Sequence, residues 1–499
     1  MAEPSLVAVV RAVLRSAVEV YAGSPQAATL RGLLDRLDEP LRVAVAGKVK
    51  AGKSTLLNAL VGEEIAATDV SECTQIVTWY RDGLTPRVTL HPREGAARQI
   101  PLGREHGALA IDLEGTPPAD VERIVVDWPS GRLRTTTLID TPGIASISTE
   151  TSVRTQAFLA PVDAPTPADA VLYLMRHVHA TDVRFLESFH DDNMARATPV
   201  NAIGVLSRAD EIGVGRIDSL FSAKRIAKRY RSDPQVRRLC QTVVPVAGLL
   251  AQAGMTLREA EYAALVRVAT APRDEAERLL LSADRFARAQ TPIPLAPEER
   301  AALLRRFGLY GVRLASTLIR QGAASASELA PQLVRRSGLD ELREVLATQF
   351  TQRRDLLKAR SALLGLDHVL RHQPRPGTQP LAAEVERILA GAHAFAELRL
   401  LNALRTGAVA LGAGELDEAE RLLGGAGTSP GARLGLPDEA DAEDLRHAAL
   451  DAVARWQRRA ESPLSPRAVA DAARVVVRTC EGLLAALTNS GRPGFVTDA

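Results

Sequence analysis

Leu41-Arg42-Val43-Ala44-Val45-Ala46-Gly47-Lys48-Val49-Lys50-Ala51-Gly52-Lys53-Ser54-Thr55 is the stretch on which the rest of the sequence turns. A short apolar, β-rich run leads into G-x-x-x-x-G-K-[ST], and helical sequence follows. Strand, glycine-rich loop and helix form the context in which this motif signifies phosphate binding. Gly47 and Gly52 let backbone N–H groups face phosphates with no Cβ in the way. The helix start adds its own positive end. Lys53 is placed to reach the β- and γ-phosphates and Ser54 to ligate Mg²⁺. Lys48, Val49, Lys50, Ala51 and Thr55 complete the cradle.

Further apolar runs follow the same rhythm of strand, loop and helix: TTTLIDTPG, AVLYLM, VNAIGVL and TVVPVAG. This alternation predicts an α/β domain with a mostly parallel sheet. IVTWY, RVTL and RIVVDW are further strands, and the turn Pro129-Ser130-Gly131 suggests that RIVVDW and TTTLID pair as an antiparallel hairpin.

The loops after these strands carry polar residues in a telling order. Asp140-Thr141-Pro142-Gly143 puts a carboxylate at a strand end, where it can hold Mg²⁺ through its water shell, and Gly143 can sense the γ-phosphate through its amide. Ser207-Arg208-Ala209-Asp210 stands where guanine-specific proteins carry [NT]-K-x-D. The Asp210 carboxylate can accept from guanine N1–H and the 2-amino group. Adenine offers neither donor, a mismatch worth a factor on the order of 10⁴. Arg208 replaces the usual Lys; its guanidinium can lie over the base and support the phosphate loop. Val246-Ala247-Gly248 fits a last base loop, in which a backbone N–H meets the base O6. Thr74 is the candidate switch threonine, closing on Mg²⁺ and the γ-phosphate. No side chain is an obvious general base, so water positioning falls to backbone groups near Thr74 and to closure of the switch.

Composition sets the remaining bounds. The 499 residues suggest roughly three domain-sized units. Aromatics make up only 4%, so the cores rest on Leu, Val and Ala, which favours helix packing. A net charge of +2 argues for no particular polyanion partner. Cys73, Cys240 and Cys480 lack any C-x-x-C spacing, which fits a reducing cytosol. His177 and His179 have no third ligand in view, so no metal site is expected there. The opening residues do not read as a signal peptide, and no apolar run of about 18 residues exists to span a membrane. No nucleic-acid-binding motif is present.

Helical sequence dominates both ends. Leu6, Val10, Val13, Ala17 and Val20 form one face of an N-terminal helix. A helix start is expected at Ser337, capped with Asp340. The final helix, starting at Ser465-Pro466, carries a seam of Val469, Ala473, Val476, Cys480, Leu483 and Leu487. Packing these three segments together would give a bundle beside the α/β domain. GAVALGAG (407–414) and the stretch 424–436 are the candidate tips for lipid contact, and 424–435 reads as a flexible loop. A basic run of Lys224, Arg225, Lys228, Arg229, Arg231, Arg237 and Arg238 is a further candidate surface for anionic lipid or a partner.

With its widely spaced loops and flanking helices, the chain resembles a dynamin-like GTPase, most nearly the isoniazid-inducible dynamin-like proteins of actinobacteria. LRVAVAGKVKAGKSTLLNALVG, TDVSECTQIVTW, SRADEIGVGRID and VVPVAGLLA carry that resemblance, joined by RFGLYGVRLA, SGLDELREVLATQF and AGTSPGARLGL. In length it is similar to the shorter members of that group, those with a truncated helical region. The resemblance implies GTP and GDP as ligands with Mg²⁺, with Ser54, Thr74 and Asp140 at the metal. It places Gly143, Lys53 and Thr74 in catalysis; Lys50 joins them where the sequence departs from the dynamin pattern. It also implies pairing of the nucleotide domain with itself, a longer dynamin-like paralogue as partner, anionic lipid contact and a cytoplasmic location at the inner face of the plasma membrane. The expected organisation is neck helices in 1–39, a nucleotide domain with a helical extension in 40–336, a neck helix in 337–372, a short stalk in 373–444, C-terminal neck helices in 445–489 and a disordered tail in 490–499. Eukaryotic dynamins carry Gln and Ser at the positions of Val49 and Lys50. The Lys50 ammonium is expected to replace the monovalent cation which that Ser helps to hold.

Overall fold

In the strand Leu41–Gly47 (β1), alternate side chains reach opposite faces. Val43 and Val45 enter one apolar core, Ala44 and Ala46 another. Coverage on both faces is what a parallel strand at the centre of a sheet requires. The chain is seen here as a computed structural model that describes residues 5–66, 75–105, 108–143, 166–176, 201–212, 218–405, 407–437 and 439–490.

Beyond β1 come β2 (Val77–Asp82), β3 (Arg87–Pro92), β4 (Arg98–Ile100), β5 (Leu102–Glu105), β6 (Ala108–Ile111), β7 (Val121–Trp128), β8 (Thr136–Asp140), β9 (Ala170–Met175), β10 (Ala202–Ser207) and β11 (Val243–Val246). Nine of these form one sheet in the order β11-β10-β9-β1-β8-β2-β7-β3-β4, and β5 pairs with β6 separately. From β11 to β8 every pairing is parallel. β2 then runs antiparallel to β8 and parallel to β7, while β3 is antiparallel to both β7 and β4.

The hairpin anticipated between RIVVDW and TTTLID does not form. β2 inserts between β7 and β8, pairing Trp79 with Ile139 on one side and Val125 on the other. The Pro129-Ser130-Gly131 turn therefore leads past the end of β2.

The helices are α1 (Leu6–Val20), α2 (Pro25–Arg36), α3 (Lys53–Val61), α4 (Ser219–Ser232), α5 (Pro234–Leu239), α6 (Gly248–Met255), α7 (Glu259–Thr270), α8 (Arg273–Leu279), α9 (Ala283–Arg288), α10 (Pro297–Arg320), α11 (Ala326–Arg335), α12 (Leu339–Leu346), α13 (Arg354–His372), α14 (Gln379–Gly391), α15 (His393–Arg405), α16 (Ala413–Leu422), α17 (Pro430–Leu434), α18 (Ala442–Glu461) and α19 (Arg467–Ser490). α4 and α5 cover one face of the sheet. α6 to α11 form a helical extension around Leu250, Phe286, Phe307 and Leu329.

The N-terminal pair α1 and α2 joins α13 and α14 in a bundle whose core is continuous with the sheet. Polar ties fix it: Tyr21 Oη donates to Gln373 O at 2.7 Å, and Lys358 Nζ to Leu37 O at 3.1 Å. The last helix, expected to join this bundle, instead packs on α18, α15 and α16 around Trp456, Val476 and Cys480. The helical part is thus two groups of helices.

Two local expectations are also revised. Ser337 is fully buried and does not cap α12; its hydroxyl donates to Val334 O and accepts from Leu339 N, while Gly338 takes the cap position and Asp340 turns to Arg343. The stretch 424–435 is a packed seam that includes α17. Gln349 Nε2 donates to Gly425 O at 3.1 Å, and Arg353, a residue nearly devoid of exposure, donates to the carbonyls of Leu423 and Gly424. Burial pulls the Arg353 guanidinium down to about 10. By contrast 407–414 lies largely exposed between α15 and α16.

Candidate nucleotide-binding site

In a parallel sheet all strand C-termini open on one edge, and ligands gather there. The loops at 47–52, 140–143, 176, 207–210 and 246–248 accordingly meet at a single edge, although their residues are scattered over half the sequence. β1, β9, β10 and β11 are almost wholly buried and β8 is buried at its centre, so the loops leave a rigid base.

At the phosphate end, Gly47, Lys50 and Gly52 all take positive φ, which bends the loop before α3 begins at Lys53. Lys53 Nζ reaches back to Gly47 O at 3.4 Å. Burial lowers its pKa and the charge of Asp140 opposes that shift. Ser54 Oγ donates to Asp140 Oδ2 at 2.8 Å. Burial pushes the Asp140 carboxyl up, against Lys53 and Ser54, which hold it down. Gly143 lies directly on the phosphate loop: a Cβ there would stand 2.5 Å from Val49 Cγ2 and 2.8 Å from Val49 Cα. Only glycine permits this approach.

These residues suit a magnesium ion. Among the described residues Asp140 Oδ1 is buried with no hydrogen-bond partner, and a buried carboxylate oxygen without a partner is costly. With the Ser54 hydroxyl alongside, it forms an oxygen-only donor set of the kind that Mg²⁺ takes together with water and phosphate.

At the base end, Asp210 is buried, and that burial raises its pKa to about 6, with Arg208 opposing. Ser207 is buried too and donates to Met175 O at 3.3 Å. Arg208 adopts φ 53° and forks: Nη2 donates to Lys50 O at 2.8 Å and Nη1 to Glu211 Oε1 at 2.6 Å. The support of the phosphate loop anticipated from the sequence is therefore present. A residue the sequence reading did not single out joins it: Arg176, at the end of β9, donates to the same Lys50 carbonyl at 3.3 Å. Its signal was an arginine ending the strand beside β1.

The last loop departs from expectation in one respect. The Ala247 N–H donates to Ser337 O at 2.8 Å and is engaged inside the protein. The next residue of that loop, Gly248, opens α6 and lies against Thr55 of α3. Thr74, Cys73, His177 and His179 lie outside the described residues. Among the described residues no group of three or more His, Cys, Asp or Glu is arranged to hold a metal.

The cleft thus joins a phosphate cradle, a hard-metal donor pair and a buried carboxylate acceptor. Comparison with known proteins agrees. The model of the dynamin family matches residues 43–209. The isoniazid-induced protein IniC of Mycobacterium tuberculosis is 43% identical over 483 residues, covering 95% of this chain and 98% of that protein. A bacterial dynamin-like protein of Nostoc punctiforme is 31% identical over 162 residues, covering 30% of this chain and 22% of that protein. Among solved structures, a chain from an oligomerised bacterial dynamin pair described as sensing and tethering membranes aligns with 98% of this chain and 76% of its own, at 13% identity and a TM-score of 0.36.

Proposed function

The chain belongs to the dynamin family, as a relative of the mycobacterial isoniazid-induced protein IniC, and from that membership we propose that it binds GTP and GDP with Mg²⁺ and hydrolyses GTP to GDP and phosphate. The contact that supports this reading is Ser54 Oγ to Asp140 Oδ2 at 2.8 Å, which joins the phosphate helix to the D-x-x-G strand where the metal is proposed to sit. Mg²⁺, when bound, neutralises charge on the β- and γ-phosphate oxygens. Lys53 adds a second cation at those oxygens. Gly143 and Thr74 orient the attacking water and sense the γ-phosphate. Asp210 selects guanine. Lys50 takes the place of a monovalent cation, so turnover is insensitive to potassium and sodium.

The same reading couples turnover to pairing of nucleotide domains and to remodelling of the inner membrane from its cytoplasmic face. No helix among the described residues is long and apolar enough to cross a membrane, so the contact would be peripheral. With 424–435 folded into a seam, 407–414 is the remaining tip candidate. It carries neither an aromatic anchor nor a lysine. That favours a second reading, in which the chain is the regulatory partner of a longer dynamin-like subunit. The basic run offers little more, because Lys224 and Arg231 face Glu341, and Arg237 pairs with Glu420.

GTP turnover measured against protein concentration, with and without anionic liposomes, separates the two. Specific activity that rises with concentration and again with lipid supports pairing on a membrane. A flat response to both favours the partner reading.

A further inference from the structure

We propose that the bend of α10 at Gly308 forms the far wall of the base site and makes room for the 2-amino group of guanine. The inference rests on Asp210 being the base acceptor. α10 spans 24 residues and is broken once, at Gly308, where φ 64° and ψ 172° are non-helical. That region of backbone space is essentially closed to residues other than glycine.

The break is placed against the base loop. A Cβ built on Gly308 would stand 3.8 Å from Asp210 Oδ2, in van der Waals contact with the atom assigned to the base. Gly308 itself is half-buried, while Phe307 before it and Tyr310 after it are buried in the core of the helical extension. The proximity is electrostatic as well: burial first, then the charge of Asp210, raise the Tyr310 phenol, and Arg336 opposes them.

Both halves of the bent helix are braced. On the leading side, Arg306 donates to Glu261 Oε1 at 2.7 Å and Thr256 Oγ1 at 2.8 Å and pairs with Glu64, just beyond α3. On the trailing side, Arg313 Nε donates to Leu280 O at 3.0 Å. Gly308 is thereby held beside Asp210 from two directions. When Asp210 accepts from guanine N1–H and one amino hydrogen, the rest of the amino group extends past the carboxylate. A glycine there leaves a gap where any other residue would place a side chain.

The test compares GDP with inosine 5′-diphosphate, which lacks only the 2-amino group, by calorimetry on the full chain. The unaltered protein should prefer GDP, and Gly308→Ala should cut that preference about tenfold, mainly by weakening GDP. No preference in the unaltered protein, or equal weakening of both ligands by Gly308→Ala, would overturn the proposal. Because Gly308→Ala also strains the backbone, N2-methyl-GDP serves as a second probe on the unaltered protein. The added methyl should weaken binding about tenfold, and binding equal to GDP would overturn the proposal. Asp210→Asn separates the underlying assignment. An unchanged GDP preference in that variant would overturn the base reading itself, whatever Gly308 does.

Discussion

The two ends of the nucleotide cleft are built in opposite ways. The phosphate end is built mainly on one continuous stretch, Gly47 to Thr55, whose shape is written into its own glycines and into the helix that follows, with Asp140 and Gly143 laid against it. The base end is gathered from distant segments: Asp210 after β10, Gly248 opening α6, Gly308 in the bend of α10, and Ser337 and Gly338 bracing the last loop. Arg208 is the strut between the two ends, with one arm of its fork on Lys50 O. A local site tolerates change elsewhere in the fold. A gathered site inherits every displacement of the elements that supply it.

That contrast can be broken most severely at Asp210. Asp210→Ala should erase guanine preference over adenine, a factor on the order of 10⁴, while nucleotide triphosphate still docks in the phosphate cradle. Competition of ATP against fluorescent GTP reads the ratio.

Next comes Gly338→Ala. Gly338 holds φ 82°, and a Cβ there would fall 2.2 Å from Pro245 O, on the strand that delivers the base loop. The substitution should cost at least about 2 kcal/mol in denaturant unfolding and weaken GDP. Preserved GDP affinity would show that the base end does not depend on this brace.

A smaller effect follows from pH. Burial raises Asp210 to about 6, so acid neutralises the carboxylate proposed as guanine's acceptor. GDP affinity should fall as pH drops through 6, by about tenfold at pH 5. The stability of the ligand-free chain should move the other way through this group. Its raised folded pKa makes a contribution fully present below the ordinary carboxylate range and lost as pH rises through 6. Titration of GDP binding beside thermal melts checks both signs.

The smallest effect is expected at Glu211, which supports the other arm of the Arg208 fork from an exposed position. Glu211→Ala should change GDP affinity by less than about threefold, because exposed ion pairs contribute little. A larger loss would mean that the strut itself is fragile.

The same contrast explains what could be read from the amino-acid sequence. Lys53, Ser54, Asp140 and Asp210 were legible because each stands in a short motif at a strand end, and the sheet then brings those ends together. Arg208 was legible as a support for the phosphate loop because its position in the motif fixes its reach. Arg176 was not, since its partner Lys50 lies on another loop far away in sequence. That the Ala247 amide is engaged by Ser337 was not legible either, because no local pattern announces the contact. The expected β7–β8 hairpin failed for a related reason: turn chemistry favoured it, but β2 occupies that edge of β8, pairing through Thr78, Trp79 and Tyr80. Helix periodicity foresaw α1 and α19 but not how they group, because an apolar stripe specifies that a partner exists and not which one.

The most direct test of the account is steady-state phosphate release from GTP and ATP by the unaltered chain and by Lys53→Ala. The account predicts release from GTP but not ATP, and a loss of at least about 100-fold in the variant. Equal release by both proteins, or equal use of both nucleotides, would contradict it.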